Sequence, residues 1–372
     1  MKIQILKNID ATFGRLLDFF WVLSRFPQEL PTEPRQVLLI RPGGIGDAVL
    51  LIPMIKALAE QFPDCQIHVL AEKRNARVFD FCPCISALFC YDRLSDWLAV
   101  WNNTYDVVID TEQWHRLSAL FGRLIGGRFL VGFGTNDRVR LLSRAVDYDL
   151  DRYEVFSFLS LLAPWGIELP VGLEDHFLEL PERGRGKIHA LLANCPAEEY
   201  IALCPGGSRP EKSWEEDRFV ELARRLSAEG FCCVVLGGTG DVAVASRVAD
   251  AGQGLCLAGK TSLFESAVAL QMSKAVVAND TGLLHLAAGL GRPTVGIFGP
   301  SNPKKWGPRG ESHRMLWQNL DCAPCSTYGV MPDCSFGFRC LLEIDVDAVL
   351  ESVLDLVGVG PEGSDDREGD VL

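Results

Sequence analysis

VLLIRPGGIGDAVLLIPMIKAL, residues 37–58, joins an apolar run to a helix-like stretch through a glycine-rich turn that ends in Asp47. The turn does not match a P-loop, which would place Gly-Lys-Ser/Thr at this point. It does not match the dinucleotide fingerprint either, because Val49 occupies the position of the third glycine. The segment therefore predicts a strand, a tight turn and a helix, with an acid of unassigned role in the first helical turn.

Short β-branched runs alternate with stretches of helical periodicity along the rest of the chain. This alternation is typical of parallel sheets with crossover helices. The rhythm breaks at residues 164–187, which are rich in proline and glycine, so we expect two α/β domains in tandem joined there. The predicted strands are 37–40, 67–70, 107–110, 200–204, 232–236, 275–278 and 294–298, and the predicted helices are 49–61, 214–229 and 281–290.

Composition limits the classes of function. A net charge of −13 argues against a nucleic-acid binder, because binding to nucleic acid depends on neutralising phosphates. The 13 cysteines, without a leader-like start, indicate a reducing cytoplasm. No apolar stretch reaches the roughly 18 residues that a membrane-spanning helix needs, so an integral membrane protein is not expected.

The two ends of the chain differ from the rest. Apolar residues at helical spacing predict an amphipathic helix and a linker within residues 1–34, and residues 359–372 form an acidic tail that we expect to be disordered. The apolar face of the helix either lies in a membrane interface or packs against protein. Its residues are Leu6, Ile9, Phe13, Leu16, Leu17, Phe20 and Leu23.

Ligands of doubly wound sheets bind beyond the carboxyl ends of the strands, so the polar segments that follow predicted strands are candidate sites. The last three of the four such segments combine helix N-termini, hydroxyl groups and a lysine, which predicts a nucleotide phosphate site in the second domain. The four segments contribute Gly43, Gly44, Gly46 and Asp47; Ser208 and Lys212; Asp241; and Asp280, Thr281, Gly282 and His285.

Simpler roles for the same residues stay open. Asp47 and Asp280 are also suited to capping helices, Lys212 to a solvated loop, and His285 to a hydrogen bond on a helix that faces the sheet. In the first domain, residues 115–144 hold six arginines against one acid, Asp137, which indicates a site for an anionic acceptor.

Three segments carry a resemblance to a known family: LLIRPGGIGDAVLLIPMIKAL, PGGSRPEKSW and VVANDTGLLHLAAGLGRPTVGIFGPSNPKKWGP. Over roughly residues 37–350 the sequence resembles glycosyltransferase family 9, which contains the bacterial ADP-heptose:lipopolysaccharide heptosyltransferases. The resemblance implies an α/β GT-B fold, with two Rossmann-like domains whose parallel sheets face a cleft. It implies an acceptor-binding domain at 35–175, a nucleotide-sugar-binding domain at 176–358, and an inverting transfer that needs no cofactor.

The resemblance also implies roles for residues at matching positions. Asp47 would be the base that takes the proton of the acceptor hydroxyl, and Lys212 would stabilise the leaving diphosphate. The expected donor is ADP-heptose, and the expected acceptor is the lipopolysaccharide core, an anionic lipid-linked oligosaccharide. A cytoplasmic enzyme with peripheral contact to the inner membrane follows. The remaining donor contacts would be Ser208, Asp280, Thr281, Gly282 and His285, with Asp241 near the ribose.

The cysteines at 322–340 form a C-x2-C-x8-C-x5-C pattern. Four thiolates at such spacing are suited to tetrahedral zinc or iron, although free thiols without metal are the alternative. The candidate ligands are Cys322, Cys325, Cys334 and Cys340.

Three other functions compete with heptosyl transfer. The first is a transferase that uses another nucleotide sugar or acceptor. The second is a nicotinamide-dependent oxidoreductase, because Glu72 follows the second predicted strand, where a ribose-binding acid would lie. The third is a non-catalytic sugar-nucleotide-binding module, because a fold does not guarantee an activity.

Overall fold

The computed structural model describes residues 29–125, 129–169, 172, 176–195, 199–207 and 209–358. The predicted amphipathic helix, apart from the last residues of its linker, lies outside this part of the chain, and so do the acidic tail and Ser208. The described residues form two α/β units, each built on a six-stranded sheet.

The first unit is a parallel sheet of strands in the order β3-β2-β1-β4-β5-β6. Its strands are β1 (Gln36–Arg41), β2 (Gln66–Ala71), β3 (Ala87–Cys90), β4 (Val107–Asp110), β5 (Phe129–Phe133) and β6 (Arg144–Val146). Its helices are α1 (Ile45–Gln61), α2 (Leu94–Trp101), α3 (Arg116–Leu124) and α4 (Glu154–Ser160), with 3₁₀ turns at Ala76–Phe81, Asp137–Leu141 and Ala163–Trp165.

The second unit repeats this plan with the order β12-β11-β10-β7-β8-β9, also parallel. Its strands are β7 (Tyr200–Cys204), β8 (Cys232–Val235), β9 (Leu255–Cys256), β10 (Ala275–Asn279), β11 (Thr294–Phe298) and β12 (His313–Trp317). Its helices are α5 (Gly186–Leu192), α6 (Glu216–Ala228), α7 (Val242–Ala251), α8 (Leu263–Met272), α9 (Gly282–Gly289), α10 (Pro303–Trp306), α11 (Arg339–Leu342) and α12 (Val346–Val357), with 3₁₀ turns at Pro210–Lys212 and Thr239–Asp241.

The order of the strands places the sites. In each unit the first strand lies between the second and the fourth, so the winding reverses between β1 and β4 and between β7 and β10. The crevice at such a reversal point is the usual ligand site of doubly wound sheets. Three of the four polar segments predicted from the sequence follow β1, β7 and β10, and therefore border these two crevices; the segment with Asp241 follows β8.

The tandem α/β architecture predicted from the sequence is confirmed. Strands buried on both faces were recognisable as short apolar runs, and β4, β7 and β11 have the predicted bounds. Helix α1 begins at Ile45, four residues before its predicted start, because the glycine turn supplies its first turn and Gly44 caps it. The strands β3, β5, β6, β9 and β12 were not predicted, since most are short or lie at the sheet edges.

The segment between the units packs on both of them. The backbone amides of Phe177 and Leu178 donate to Gly289 at the end of α9, and the amide of Glu179 donates to Phe81 of the first unit. The Glu179 carboxylate also accepts from Lys56 of α1 at 2.8 Å. The proline- and glycine-rich segment is therefore held in place where it crosses between the units.

Candidate active site

The N-termini of α1 and α9 meet between the two units, and glycines make this approach possible. A Cβ atom on Gly46 would lie 2.6 Å from Cδ2 of His285, and one on Gly282 would lie 2.7 Å from Cβ of Ile45. Any side chain at either glycine would push the units apart. The first and fourth predicted segments are thus brought into contact, although Asp47 and His285 are 238 positions apart in the chain.

Asp47 lies in the first turn of α1, as predicted, at the edge of this contact. Its Oδ2 accepts the backbone N–H of Gly44 at 3.1 Å, so the capping role and the exposure of the carboxylate coexist. Its side chain remains 25% exposed, and Oδ1 lies 3.9 Å from Nη2 of Arg41. The free carboxylate oxygen is therefore available to a hydroxyl group that enters from the cleft.

Arg41, at the end of β1, orients this carboxylate and was not predicted from the sequence. It is almost fully buried, its Nη1 donates to the carbonyl of Thr111 at 2.9 Å, and its Nη2 lies 3.8 Å from Oε2 of Glu112. Burial acts to raise the pKa of Glu112, but the cations around it, Arg41 first, hold that pKa below its usual value. The sequence signal that could have identified Arg41 is a charged residue at the end of an apolar strand.

Lys212 and Asp280 form an ion pair across the crevice between β7 and β10. Nζ of Lys212 lies 2.6 Å from Oδ2 of Asp280, whose side chain is 7% exposed. Burial acts to raise the pKa of Asp280, but Lys212 and then His285 outweigh it and hold the pKa well below the usual range. Asp280 therefore orients the lysine, and is not the helix cap considered from the sequence.

His285 lies against Gly46 of the first unit, which argues against the alternative of a histidine that only faces its own sheet. Its Nε2 lies 3.8 Å from Oδ1 of Asp280. Its Nδ1 is buried and has no hydrogen-bond partner among the described residues. The ring therefore fills the contact between α1 and α9 and leaves one polar atom unsatisfied beside the site.

The other donor-side candidates surround the same crevice. Thr281 is the N-cap of α9, and in the described structure its side chain makes no capping hydrogen bond. A Cβ on Gly207 would lie 3.3 Å from Cγ2 of Thr281, so the loop after β7 lies directly over this N-cap. Asp241 packs against Gly206 of that loop, and its Oδ2 accepts the N–H of Gly238 at 2.8 Å. Ser208, in the same loop, lies outside the described residues.

Asn279 fixes the loop after β7 and was not singled out from the sequence. It is fully buried, its Nδ2 donates to the carbonyl of Pro205 at 2.8 Å, and its Oδ1 accepts the N–H of Trp214 at 3.0 Å. Both ends of the loop that carries Lys212 are thereby tied to the last residue of β10.

Another ion pair, Lys305 with Glu154, joins the two units and is almost completely buried. Nζ of Lys305, in α10, lies 2.9 Å from Oε2 of Glu154, in α4, and their side chains are 6% and 0% exposed. Gln113 and Tyr148 also donate to this carboxylate, at 2.7 and 2.9 Å. Burial raises the pKa of Glu154, and Lys305 offsets part of that shift. Neither residue was a candidate, because no local pattern links them.

Two arginines of the arginine-rich stretch are held in ion pairs. Arg138 is fully buried and pairs with Asp110, and Arg116 pairs with Asp137 at 2.5 Å. These contacts use part of the positive charge that indicated an anionic acceptor. The exposed arginines of this stretch, within the described residues, are Arg140 and Arg144.

The four cysteines of the predicted cluster are brought together. Cys322, Cys325, Cys334 and Cys340 line one cavity of about 120 Å³. Burial raises the pKa of the Cys340 thiol to about 11, and the other three thiols add to that shift. Across the part of the chain described, however, no group of three or more His, Cys, Asp or Glu side chains is arranged to hold a metal ion.

Glu72, the acid on which the oxidoreductase alternative depends, takes part in the glycine turn. Its Oε1 accepts the N–H of Gly43 at 3.3 Å, and its carboxylate pairs with Arg74.

In the described helices we find none long and apolar enough to cross a membrane.

Comparison with known proteins identifies close similarities over most of the chain. A family model described as glycosyltransferase family 9 (heptosyltransferase) matches residues 93–334, well over half of the sequence. Lipopolysaccharide heptosyltransferase 2 of Escherichia coli is 25% identical over 304 residues, which cover 76% of this chain and 87% of that protein.

Solved structures agree with the fold. The structure of Escherichia coli ADP-heptose lipopolysaccharide heptosyltransferase II has a TM-score of 0.72 at 24% identity, covering 87% of this chain and 98% of that one. An iron-containing dodecameric glycosyltransferase, TibC of enterotoxigenic Escherichia coli, has a TM-score of 0.57 at 15% identity, covering 88% and 76%. The family model begins at residue 93 and so does not include the turn that carries Asp47.

Proposed function

Because this chain belongs to glycosyltransferase family 9, we propose that it transfers heptose from ADP-heptose to a sugar of the lipopolysaccharide core. The substrate assignment is supported by its relatives, which are lipopolysaccharide heptosyltransferases. The observation that carries the proposal is the contact between α1 and α9. This contact sets Asp47 of the first unit beside the crevice of the second unit that holds Lys212.

Asp47 is proposed as the general base. As the acceptor hydroxyl attacks the anomeric carbon, its proton passes to Asp47, a new C–O bond forms and the bond to the diphosphate breaks on the opposite face of the sugar. The configuration at the anomeric carbon is therefore inverted. Arg41, held by Thr111 and close to Glu112, keeps the carboxylate oriented for this transfer.

The second unit is proposed to receive the leaving nucleotide. The N-terminus of α9 presents backbone N–H groups to the crevice, and Lys212 adds a cation where negative charge develops on the departing diphosphate. A diphosphate must share Lys212 with Asp280, whose role is then to hold the lysine ready. Thr281, Gly282, His285, Asp241 and Ser208 complete the proposed donor side, and the transfer needs no cofactor.

Calorimetric titration with ADP, GDP, UDP and NADH tests the donor. We expect selective binding of ADP, and a Lys212→Ala variant is expected to lose much of that affinity. Preference for UDP or GDP would keep the glycosyltransferase and change the donor, whereas binding of NADH alone would favour an oxidoreductase.

A transfer assay with ADP-heptose and lipopolysaccharide from a heptose-deficient strain tests the base. Asp47→Asn keeps the shape of the side chain and removes its basicity, so we expect transfer to fall by a factor of about 100 or more while ADP still binds. Asp64→Asn, at an exposed position beyond the end of α1, is the matched control. Full transfer by Asp47→Asn would refute the assignment of the base, and binding of ADP without transfer by the wild-type chain would favour a non-catalytic module.

The cysteine cavity is the site proposed for a structural zinc or iron ion. Three observations support this proposal: the four cysteines line one cavity, the other three thiols raise the pKa of Cys340, and the structurally similar TibC contains iron. The described arrangement would have to tighten around the ion, because no metal-holding group is formed as it stands. Elemental analysis of tag-free protein, with Cys325→Ser as the comparison, is expected to find one metal per chain that the variant loses.

Peripheral contact with the membrane that carries the acceptor is proposed on the surface of α2. Leu94, Leu98 and Trp101 follow one face of this helix and are 78, 61 and 53% exposed. Such a face is suited to the boundary between headgroups and acyl chains. Flotation with anionic vesicles should recover the wild-type chain, and Leu98→Ser with Trp101→Ser should reduce that recovery.

A further inference from the structure

A two-residue hairpin projects from the cysteine-rich segment toward the first unit. Thr327 and Val330 exchange both backbone hydrogen bonds, at 3.0 and 2.9 Å. The two residues between them, Tyr328 and Gly329, have φ angles of 50° and 70°. Positive φ at both central positions is the requirement of a type I′ turn.

Tyrosine is conformationally unfavourable at the first central position of this turn. Asn, Asp and Gly are the residues that type I′ turns favour at the first central position, because they tolerate the left-handed region. A bulky residue in that region persists only where surrounding contacts hold it, and such positions cluster at functional sites. The reason for Tyr328 must therefore lie in what its ring contacts.

The ring of Tyr328 stacks on aromatic residues of the other unit. Its centroid lies 4.5 Å from that of Trp114 with 26° between the planes, and 5.9 Å from that of Tyr148 with 28°. Tyr148 also donates to Glu154 in the buried ion pair. The backbone N–H of Trp114 donates to Oε1 of Glu112 at 3.2 Å, and Nη2 of Arg41 lies 3.8 Å from Glu112 and 3.9 Å from Asp47, so the stack is two residues away from the proposed base. The aromatic stack thus borders the acceptor side of the cleft.

The other side of the hairpin is tied to the donor loop. Nη2 of Arg209 donates to the carbonyl of Gly329 at 3.0 Å, and the amide of Lys212 donates to the carbonyl of Arg209 at 3.0 Å. The base of the hairpin is fixed because the amides of Cys325 and Ser326 both donate to the carbonyl of Pro300 at 2.9 Å. One short hairpin therefore joins the loop of the nucleotide site to the aromatic wall beside Asp47.

We propose that Tyr328 is a positioning residue of the transfer reaction, through which the donor loop holds the aromatic wall of Trp114 and Tyr148 in place for the acceptor. This inference rests on the proposed function and adds to it a contribution of the second unit to acceptor binding. It predicts that loss of the stack weakens the use of the acceptor and leaves the nucleotide site intact.

Tyr328→Asn separates this role from a structural one. Asparagine suits the turn better than tyrosine, so the hairpin is kept while the stack is removed. An aromatic stack contributes enough to predict a rise of roughly 3- to 10-fold in KM for the lipopolysaccharide acceptor, with kcat, the Kd for ADP and the melting temperature close to those of the wild type. Tyr328→Phe keeps the ring and should restore the wild-type KM. Val330→Ala, at an exposed position of the same hairpin, is the matched control.

The outcomes separate the inference from the function on which it rests. A Tyr328→Asn variant that binds ADP and shows the wild-type KM for the acceptor overturns the inference alone. A rise in KM that Tyr328→Phe does not reverse overturns it as well, because the stack would not be the cause. A wild-type chain that binds none of the four nucleotides refutes the proposed function, and the inference falls with it.

Discussion

Replacing Lys305 by methionine removes the cation from the buried pair that joins the two units. At an effective dielectric constant near 20, charges 2.9 Å apart attract each other by about 6 kcal/mol, most of which offsets the cost of burying them. The measurable loss is the cost of leaving the Glu154 carboxylate alone, about 3–5 kcal/mol. Gln113 and Tyr148 still donate to that carboxylate, so we expect a value toward the lower end.

The loss of unfolding free energy should depend on pH, because a proton taken up by Glu154 removes the unpaired negative charge. Folding raises the pKa of this carboxyl above its ordinary 4.5, so the folded chain keeps a proton that the unfolded chain has released. Stability attributable to Glu154 is therefore present below about pH 4.5 and is lost as the pH rises through the folded pKa. Removing Lys305 raises that pKa further, and the difference from the wild type should be small at pH 5 and large at pH 8.

Urea unfolding at pH 5, 6.5 and 8 measures this difference. Lys304→Met, at the exposed neighbouring position, controls for loss of a surface charge and should change stability by less than about 0.5 kcal/mol. Adding Glu154→Gln to Lys305→Met removes the stranded charge and should recover part of the stability at pH 8. An equal loss at pH 5 and pH 8, or no recovery in the double variant, would show that the pair does not act as an interaction between buried charges.

Three further changes test contacts of the site. Gly46→Ala would place a methyl group against His285 and separate α1 from α9, so transfer should fall on the order of 100-fold with little change in the Kd for ADP, as measured by kinetics and calorimetry. Asp280→Asn should cost about 1–3 kcal/mol in urea unfolding at pH 8, because the lowered pKa keeps Asp280 ionised there and the pair with Lys212 is lost only in strong acid; wild-type stability of the variant at pH 8 would contradict the pairing. Arg41→Met should cost about 3–5 kcal/mol in the same measurement, and wild-type stability would mean that this arginine does not balance the acids around it.

The sequence predicted the architecture because the relevant signals are local. A strand of a doubly wound sheet is a short apolar run, and the chain itself records the alternation with helices. The same argument placed Asp47, Lys212 and Asp280 after strands, and the strand order confirms that these segments border the two crevices.

Short-range signals failed where elements are small or where a residue faces the other unit. Strand β9 has two residues and β6 has three, which is too few for a periodic pattern. The spacing of α9 could not show that His285 lies against Gly46 of the first unit. Within the arginine-rich stretch, Arg138 is a buried partner of Asp110, a contact that the count of charges could not show.

The contacts between the units could not be derived from the sequence. Lys305 meets Glu154 across 151 positions of the chain, and Tyr328, an unsuitable residue for its turn, meets Trp114 across 214. A local pattern fixes which side chains lie on one strand end or one helix face. The partner of a side chain that faces a second unit depends on how two packed bodies are oriented, and that orientation follows from the sum of many weak contacts along the whole interface.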